Sequence, residues 1–478
     1  MSDLRQRHDA AAARLAEYGQ GHLLRFWDEL SDGERGELLA DIEAVDFARF
    51  GPLIETHVRG KPAFDPPKSI EPPRAFPPQP GPDQQELYKR ARARGVEAIR
   101  AGRVAAFTVA GGQGTRLGYD GPKGGFAISP VRNAPLFQLF AEGLRGVERR
   151  WGRAVDWHIM TSPANHDETI RLFESANWYG LRRGQVRFFK QAQAPAFHQN
   201  GLVALEQKHR IALSPDGHGG SLAALRASGA LEQMRAAGVD VISYFQVDNP
   251  LVKPIDPLFI GLHLEMGSEM SSKAVAKAHD HERVGAFCDV DGKLQVIEYS
   301  DLPEALAVAR NPDGSRRFDA GSIAIHVISR ELVERLTDPR SAAPMPWHRA
   351  LKRVPFVNDA GQTVNPSEPN AVKLEMFVFD AVPLAKNPLV LFTPRAEEFS
   401  PVKNAEGDDS PATTRRDLIR RAAKWLAACG VNVPRGADGE PPQPIEISPE
   451  YAIDVDDLKE RLGGRAPHVD WSKPALLA

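Results

Sequence analysis

Apolar residues in this chain come in short runs separated by glycine and proline. Val104–Val109 is such a run, closed by Gly111 and Gly112, and a short apolar stretch bounded by glycine reads as a strand buried on both faces. Residues 155–161, Val186–Lys190 and 241–247 follow the same pattern, and a helix-like segment at 222–237 lies among them. This alternation predicts an α/β fold with a mostly parallel sheet and right-handed crossovers. Ligands of such sheets sit at the carboxyl ends of the strands, which is where the glycines after Val109 and the Asp248 carboxylate fall. Toward the amino terminus the first sixty residues read as helical: residues 10–15 are good helix formers, and Ser31 with Glu34 forms a capping box ahead of Leu38, Leu39 and Ile42. They predict a small accessory unit. Between positions 62 and 82, nine of 21 residues are proline, which forbids helix and predicts an extended strap anchored by Phe64, Ile70 and Phe76. A helix over 83–101 leads into the first core strand, and a strand is expected at Ile445–Ile447 in the tail. The expected organisation is a helical region with its strap at 1–102, a central domain at 103–385 and a carboxyl-terminal domain at 386–478.

The glycines after Val109 carry the first chemical signal. Gly111, Gly112 and Gly114 free the backbone to bring several N–H groups onto one anion, and Arg116 and Lys123 add full charges, so the turn reads as a polyphosphate cradle. It is not a Walker loop, because Lys123 lies beyond the turn and is followed by Gly124. The dinucleotide fingerprint fails as well: Gly112, Gly114 and Gly118 are spaced one residue too widely, and no acidic residue ends a second strand at the required distance.

Residues 110–118, AGGQGTRLG, followed by Pro122-Lys123-Gly124, resemble the signature of the UDP-sugar pyrophosphorylases, and specifically of the eukaryotic-type UDP-N-acetylglucosamine pyrophosphorylases. Seven further blocks stand in family order: HIMTSPANHDET at 158–169, LSPDGHGG at 213–220, FQVDNPLVK at 245–253, VIEYSDL at 296–302, FDAGSIAIH at 318–326, KLEMFVFD at 373–380 and EFSPVKNAEG at 398–407. The resemblance covers roughly residues 1–430. It implies a Rossmann-like, GT-A-like nucleotidyltransferase domain with a mixed, mostly parallel sheet, a small helical addition before it and an α+β addition after it. The implied reaction is attack of a sugar 1-phosphate on the α-phosphorus of UTP, with release of pyrophosphate and no covalent enzyme intermediate. Because the attacking phosphate is already anionic, positioning and charge neutralisation must supply the rate.

The resemblance also assigns roles. Lys123 would contact the α-phosphate, Arg116 the β and γ phosphates, and Lys403 would reach back to the phosphates from late in the chain. Asp248 would hold Mg²⁺, or Mn²⁺ in its place, together with waters and phosphate oxygens. The nucleotide would lie on Val109, Ala110, Gly111 and Gly112, with the uracil read by Gln191 and Gly217. His218, Glu298, Gly321 and Ser322 would line the sugar pocket. Two departures fall there: the family has Asn where this chain has His218, and its Asn-Ala-Gly-Asn is Asp319-Ala320-Gly321-Ser322 here. They leave the uridylyl-transfer machinery whole and put the sugar preference between N-acetylglucosamine, glucose and a broader set. His218 has no neighbouring Cys or His in sequence to share a metal and reads as a hydroxyl-binding or structural residue.

Composition adds exclusions. A net charge of -3 argues against a nucleic-acid partner, and basic pairs such as Arg415 and Arg416 read as solvated helix faces. Two cysteines, Cys288 and Cys429, offer neither a disulfide framework nor a zinc site. The first twenty residues lack an apolar signal core and no run reaches the roughly 18 apolar residues of a membrane helix, so a cytoplasmic protein without membrane contact is expected, a monomer or weak homo-oligomer. Two other classes stay open at this level. One is a catalytically silent UDP-sugar sensor, which would show erosion at Lys123, Asp248 or Lys403; the other is a nicotinamide-dependent oxidoreductase, suggested only by the glycine turn.

Overall fold

The computed structural model of the chain describes residues 2–60, 67–341 and 344–478. The chain forms two compact units: a smaller one of Met1–Pro66, Gln191–Gly220 and Met345–Val378, and a larger one of Pro67–Lys190, Ser221–Pro344 and Phe379–Ala478. The larger unit takes in residues from all three regions expected along the sequence.

The larger unit is built on one mixed sheet. Its strands, in chain order, are β1 (Ile70–Glu71), β2 (Ala75–Phe76), β3 (Val104–Val109), β4 (Trp157–Thr161), β5 (Val186–Lys190), β6 (Val241–Gln246), β7 (Met270–Ala276), β8 (Ala286–Val290), β9 (Lys293–Ile297), β10 (Ala320–Ser329) and β11 (Leu389–Phe392). The spatial order is β2-β11-β7-β10-β6-β3-β4-β5, and β8 pairs with β1, β9 and β10 off this path. β6, β3, β4 and β5 are parallel to one another, while β10 runs antiparallel to β6 and β7. The predicted α/β sheet is therefore present, with the parallel half carrying the apolar runs. β3 is buried at five of its six positions, as a strand covered on both faces must be.

Helices cover this sheet by close contact. Leu136–Trp151 lays Phe137 and Phe140 against Trp157, Phe173 and Phe245, with ring centroids 5.0 to 6.4 Å apart. The helix expected at 83–101 runs over Gln85–Arg100 and packs on Pro257–Glu265 through two glycines: a Cβ on Gly95 would lie 1.8 Å from the Pro257 carbonyl, and one on Gly261 1.6 Å from that of Ala91. The helix expected at 222–237 is instead two, Gly220–Ala227 and Ala230–Ala236, because Gly229 between them adopts φ +74°. The strap is packed in its described part: Ile70–Glu71 pairs with β8 and Ala75–Phe76 with β11. Its first positions, with Phe64, lie outside the described residues.

The smaller unit joins the amino-terminal helices to later chain. Ser2–Glu17, Asp32–Ala44 and Phe47–Leu53 share a core of Leu15, Leu38, Ile42 and Phe50 with Phe197, Ile211, Val372 and Leu374. The Ser31–Glu34 capping box is formed at the start of the second helix.

Candidate active site

The site of the larger unit begins where β3 ends. The Val109 carbonyl accepts the Val247 N–H at 3.1 Å, so the chain leaving β6 runs beside the chain leaving β3, and Asp248 emerges next to the glycine turn. Ala110 continues the β3–β4 pairing, its N–H donating to the Met160 carbonyl at 2.8 Å. The turn then folds back on itself. The Lys123 N–H donates to the Gly112 carbonyl at 3.1 Å and the Gly114 N–H to that of Gly121 at 2.9 Å. Gly112 is exposed, with no atom within 4 Å of where a Cβ would stand, which leaves room for a ligand against its backbone. Gly111 is half-buried beside it.

Three cations and one carboxylate meet at this turn. Lys123 is half-buried; its Nζ donates to the Val402 carbonyl at 3.2 Å, a neutral acceptor, and among the described residues no carboxylate is bonded to it. Desolvation lowers the Lys123 pKa first, nearby Asp248 raises it, and Lys403 and Arg116 lower it further, so all three act on one ammonium. Arg116 is exposed on the turn. Lys403 is brought in by backbone: the Val402 N–H donates to the Asp248 carbonyl at 2.8 Å. Its own N–H and that of Asn404 both donate to the Asp409 carbonyl, at 2.7 and 3.1 Å, and its Nζ lies 3.8 Å from Asp409 Oδ2. Asp409, in the left-handed region at φ +56°, closes this loop before Ser410 caps the helix Pro411–Ala428.

A second group of expected residues gathers at β8, β9 and β10. The β8–β9 hairpin turns on Asp291-Gly292, both with positive φ, as a two-residue turn of this sequence requires. Glu298 follows β9, and its Oε1 would be 3.5 Å from a Cβ on Gly285, whose carbonyl accepts the Ser322 N–H at 2.8 Å. Gly321 pairs with Val275 on one side and Ala286 on the other. It can do so because β10 bulges between Ser322 and His326, where Ala324 takes φ +53°, and bends toward β8. Glu298, Gly285, Gly321 and Ser322 thus form one corner.

Gln191, Gly217 and His218 belong to the smaller unit. Gln191 is buried, and its Nε2 donates both to Asp216 Oδ1 at 3.0 Å and to the Gly217 carbonyl at 2.7 Å. Both amide protons are committed, so the side chain can offer a ligand only its carbonyl oxygen. Gly217 takes φ +83°, and a Cβ there would stand 2.3 Å from the Met376 carbonyl. His218 Nδ1 accepts the Val378 N–H at 3.1 Å; desolvation, then His348, lowers its pKa to about 4, so the ring is neutral. Among the described residues no group of three His, Cys, Asp or Glu is arranged to hold a metal.

Residues absent from the sequence-based set hold this geometry. Asn165, fully buried, donates through Nδ2 to the Ala110 and Gly112 carbonyls at 3.0 and 3.2 Å and accepts the Ser162 N–H at 2.9 Å, tying the end of β4 to the glycine turn. Asn249 donates to the Glu398 carbonyl at 2.7 Å and accepts the Ser400 N–H at 3.2 Å, joining the Asp248 strand end to the Lys403 segment. Both stand in the quoted blocks, and an asparagine just past a strand end is a usable signal for such a clamp.

Residues 70–415 match the family described as UTP--glucose-1-phosphate uridylyltransferase. The chain is 37% identical over 495 residues to the human UDP-N-acetylhexosamine pyrophosphorylase-like protein 1, covering 97% of this chain and 96% of that protein. It is 34% identical to the UDP-N-acetylglucosamine pyrophosphorylase of Saccharomyces cerevisiae, covering 88% and 91%. The crystal structure of the uridine diphosphate N-acetylglucosamine pyrophosphorylase from Trypanosoma brucei superposes with a TM-score of 0.82 at 28% identity, covering 99% and 98% of the two chains. With the glycine turn, the converging cations and these likenesses, the chain belongs to the UTP–glucose-1-phosphate uridylyltransferase family, as a uridylyltransferase of UDP-sugar pyrophosphorylase type.

Proposed function

We propose that the chain makes UDP-N-acetylglucosamine and pyrophosphate from UTP and N-acetylglucosamine 1-phosphate, through the residues gathered at the ends of β3 and β6. The reading rests chiefly on one observation: Lys123, Arg116, Lys403 and Asp248 converge beside a glycine turn with open space over its backbone. An oxygen of the sugar 1-phosphate forms a bond to the α-phosphorus of UTP as the bond to the bridging oxygen of pyrophosphate breaks. Two anions must approach and charge spreads over the α-phosphate oxygens, so preorganised cations lower the barrier. Lys123, desolvated and hydrogen-bonded to a carbonyl, holds the α-phosphate oxygens; Arg116 holds the leaving pyrophosphate and Lys403 the far side.

Enzymes of this kind generally need a divalent metal, and the donors fit a hard cation. Asp248 supplies a single carboxylate at a strand end, as Mg²⁺ bound largely through waters and phosphate oxygens requires, and no larger cage exists among the described residues. Held by Asp248, such an ion would supply neutralisation of phosphate charge.

The sugar assignment follows the relatives' names, while Ser322 and His218 depart from the family pattern and favour a test against plain hexoses. Pyrophosphate release with UTP, Mg²⁺ and the 1-phosphates of N-acetylglucosamine, N-acetylgalactosamine, glucose, galactose and xylose decides it. Preference for an acetamido sugar is expected; preference for glucose would transfer the assignment to UDP-glucose, and no turnover with any sugar despite UTP binding would favour the sensor. In the same assay Lys123→Ala should lose on the order of 10² to 10³ in turnover, and a loss of only a few fold would remove Lys123 from the mechanism.

A further inference from the structure

Away from the catalytic turn, the larger unit contains a cavity of about 160 Å³ lined by Lys253, Pro254, Asp256, Thr393, Glu398 and Arg421, among others. None of Lys123, Arg116, Asp248 or Lys403 lines it. Its lining holds three cations, Arg92, Lys253 and Arg421, and three carboxylates, Asp256, Glu398 and Asp454, unevenly paired. Lys273 Nζ, fully buried, is bound by Asp256 Oδ2 at 2.6 Å and Glu398 Oε2 at 2.5 Å. The other oxygen of Asp256 caps the helix Pro257–Glu265, and Glu398 Oε1 accepts the Thr393 hydroxyl at 2.9 Å. Glu397 is committed to Lys424 and to the Trp425 indole N–H. At the far end of the cavity Arg92 is matched by Asp454 and Asp456, and Asp454 also by Arg150.

Two cations are left over. Arg421 donates through Nη1 to the Leu251 and Glu397 carbonyls, at 2.9 and 3.1 Å, and makes no ion pair among the described residues. Its guanidinium lies over the Trp425 ring at 5.2 Å and also lines an adjoining smaller cavity. Lys253 Nζ makes a loose 3.8 Å approach to Glu398 Oε1 and acts on Asp256 and Glu397 from further off. Lys273 stands behind the lining and takes up both Asp256 and Glu398, so Lys253 and Arg421 face the cavity without a close carboxylate of their own among the described residues. Desolvation pulls the Arg421 pKa down, with Glu397 and Glu398 acting only at a distance. Both are half-buried, reachable from solvent and short of a close carboxylate, which suits them to an incoming anion.

We propose that this cavity is a binding site for a small oxyanion, a phosphate or carboxylate group held by Arg421 and Lys253. A cavity of this size takes one benzene-sized molecule, so a single oxyanion fits and a nucleotide does not. The guanidinium gives planar, forked recognition and the ammonium a point charge. The site goes beyond the transferase reading, and its position suits an effector. Arg421 lies on the helix that starts at Ser410, directly after the Lys403–Asp409 loop, and it holds the Leu251 carbonyl three residues after Asp248. An anion on Arg421 would stiffen both.

Sulfate, which is no substrate, is the probe. Titrate it into the full-length enzyme saturated with UTP and Mg²⁺, with ionic strength held constant by chloride, and follow thermal unfolding and calorimetric binding; titrate inorganic phosphate and malonate in parallel to tell the two head groups apart. The expected result is a saturable rise in Tm for at least one of the three, retained in Lys123→Ala and weakened at least tenfold in Kd by both Lys253→Met and Arg421→Met. Should Arg421→Met fail to fold, Lys253→Met, which breaks no hydrogen bond, carries the test. A Tm indifferent to all three anions against chloride overturns the proposal. So does a Kd unchanged in Lys253→Met.

Discussion

Asp216 shows how far a single residue's environment departs from what its name suggests. It is 2% exposed, and desolvation raises its pKa from 3.8 to about 6, against the lowering hydrogen bond from Gln191. Between those two values the folded state holds a proton that the unfolded chain has released. Protons bound in excess by the folded state make stability fall as pH rises through the window of about 4 to 6. Asp216→Asn, which cannot titrate, should remove that fall. Thermal unfolding of both proteins at intervals from pH 4 to 7 would test it, and parallel Tm-versus-pH curves would contradict the assignment. Nothing in the Pro-Asp-Gly motif announces this, because the chain folds Gly220 against the carboxylate and Met376, 160 positions on, binds the Asp216 main-chain carbonyl. Lys123 is the opposite case. A cation beside a glycine turn is written locally, while its expected contact with the α-phosphate comes from the family resemblance.

At the scale of elements, the candidate active site depends on joints between strand ends. The glycine turn would be a loose excursion without Asn165, which draws the Ala110 and Gly112 carbonyls toward β4 and so points the opposite backbone edge outward. Asn165→Ala should lower kcat/KM for UTP by roughly 10- to 100-fold through misplacement of the turn, while costing about 1–3 kcal/mol of stability. Kinetics over a UTP range together with urea denaturation separates the two effects; an unchanged kcat/KM would show that the turn holds its shape unaided. The elements themselves were largely legible. β3, β5 and the tail strand at Ile445–Ile447 fall where the apolar runs put them, and the second helix starts on its capping box. The helix broken at Gly229 was not, because a lone glycine inside an apolar period costs only about 1 kcal/mol and leaves the period intact. The bulge at Ala324, which turns Gly321 and Ser322 toward β8, leaves no mark in sequence at all.

At the scale of the whole molecule, the tail proves to be integral to the larger unit. Arg132 donates to Glu142 at 2.8 Å and to Glu446 at 2.7 Å, both carboxylates almost fully buried, and Ser448 completes the group with a 2.8 Å bond to Glu142. Removing one member of such a network strands the others' charge, so Arg132→Ala should destabilise the enzyme by about 3–5 kcal/mol. Chemical denaturation would reveal it, and a loss below about 1 kcal/mol would mean that the tail is held by its apolar contacts alone. The sequence by itself determined the glycine cradle, the parallel strand runs, the absence of long apolar spans and the cations and carboxylate suited to phosphate transfer. Each of these is a local matter of side-chain volume, backbone freedom or charge, readable over a few residues. Only the tertiary structure decided that Lys123 would meet the carbonyl of Val402, 279 positions away, that Asp248 would anchor that segment, and that Arg421 would make no ion pair among the described residues. Those pairings depend on which packed arrangement buries the most surface at once, a sum over the whole chain that no short stretch of sequence contains.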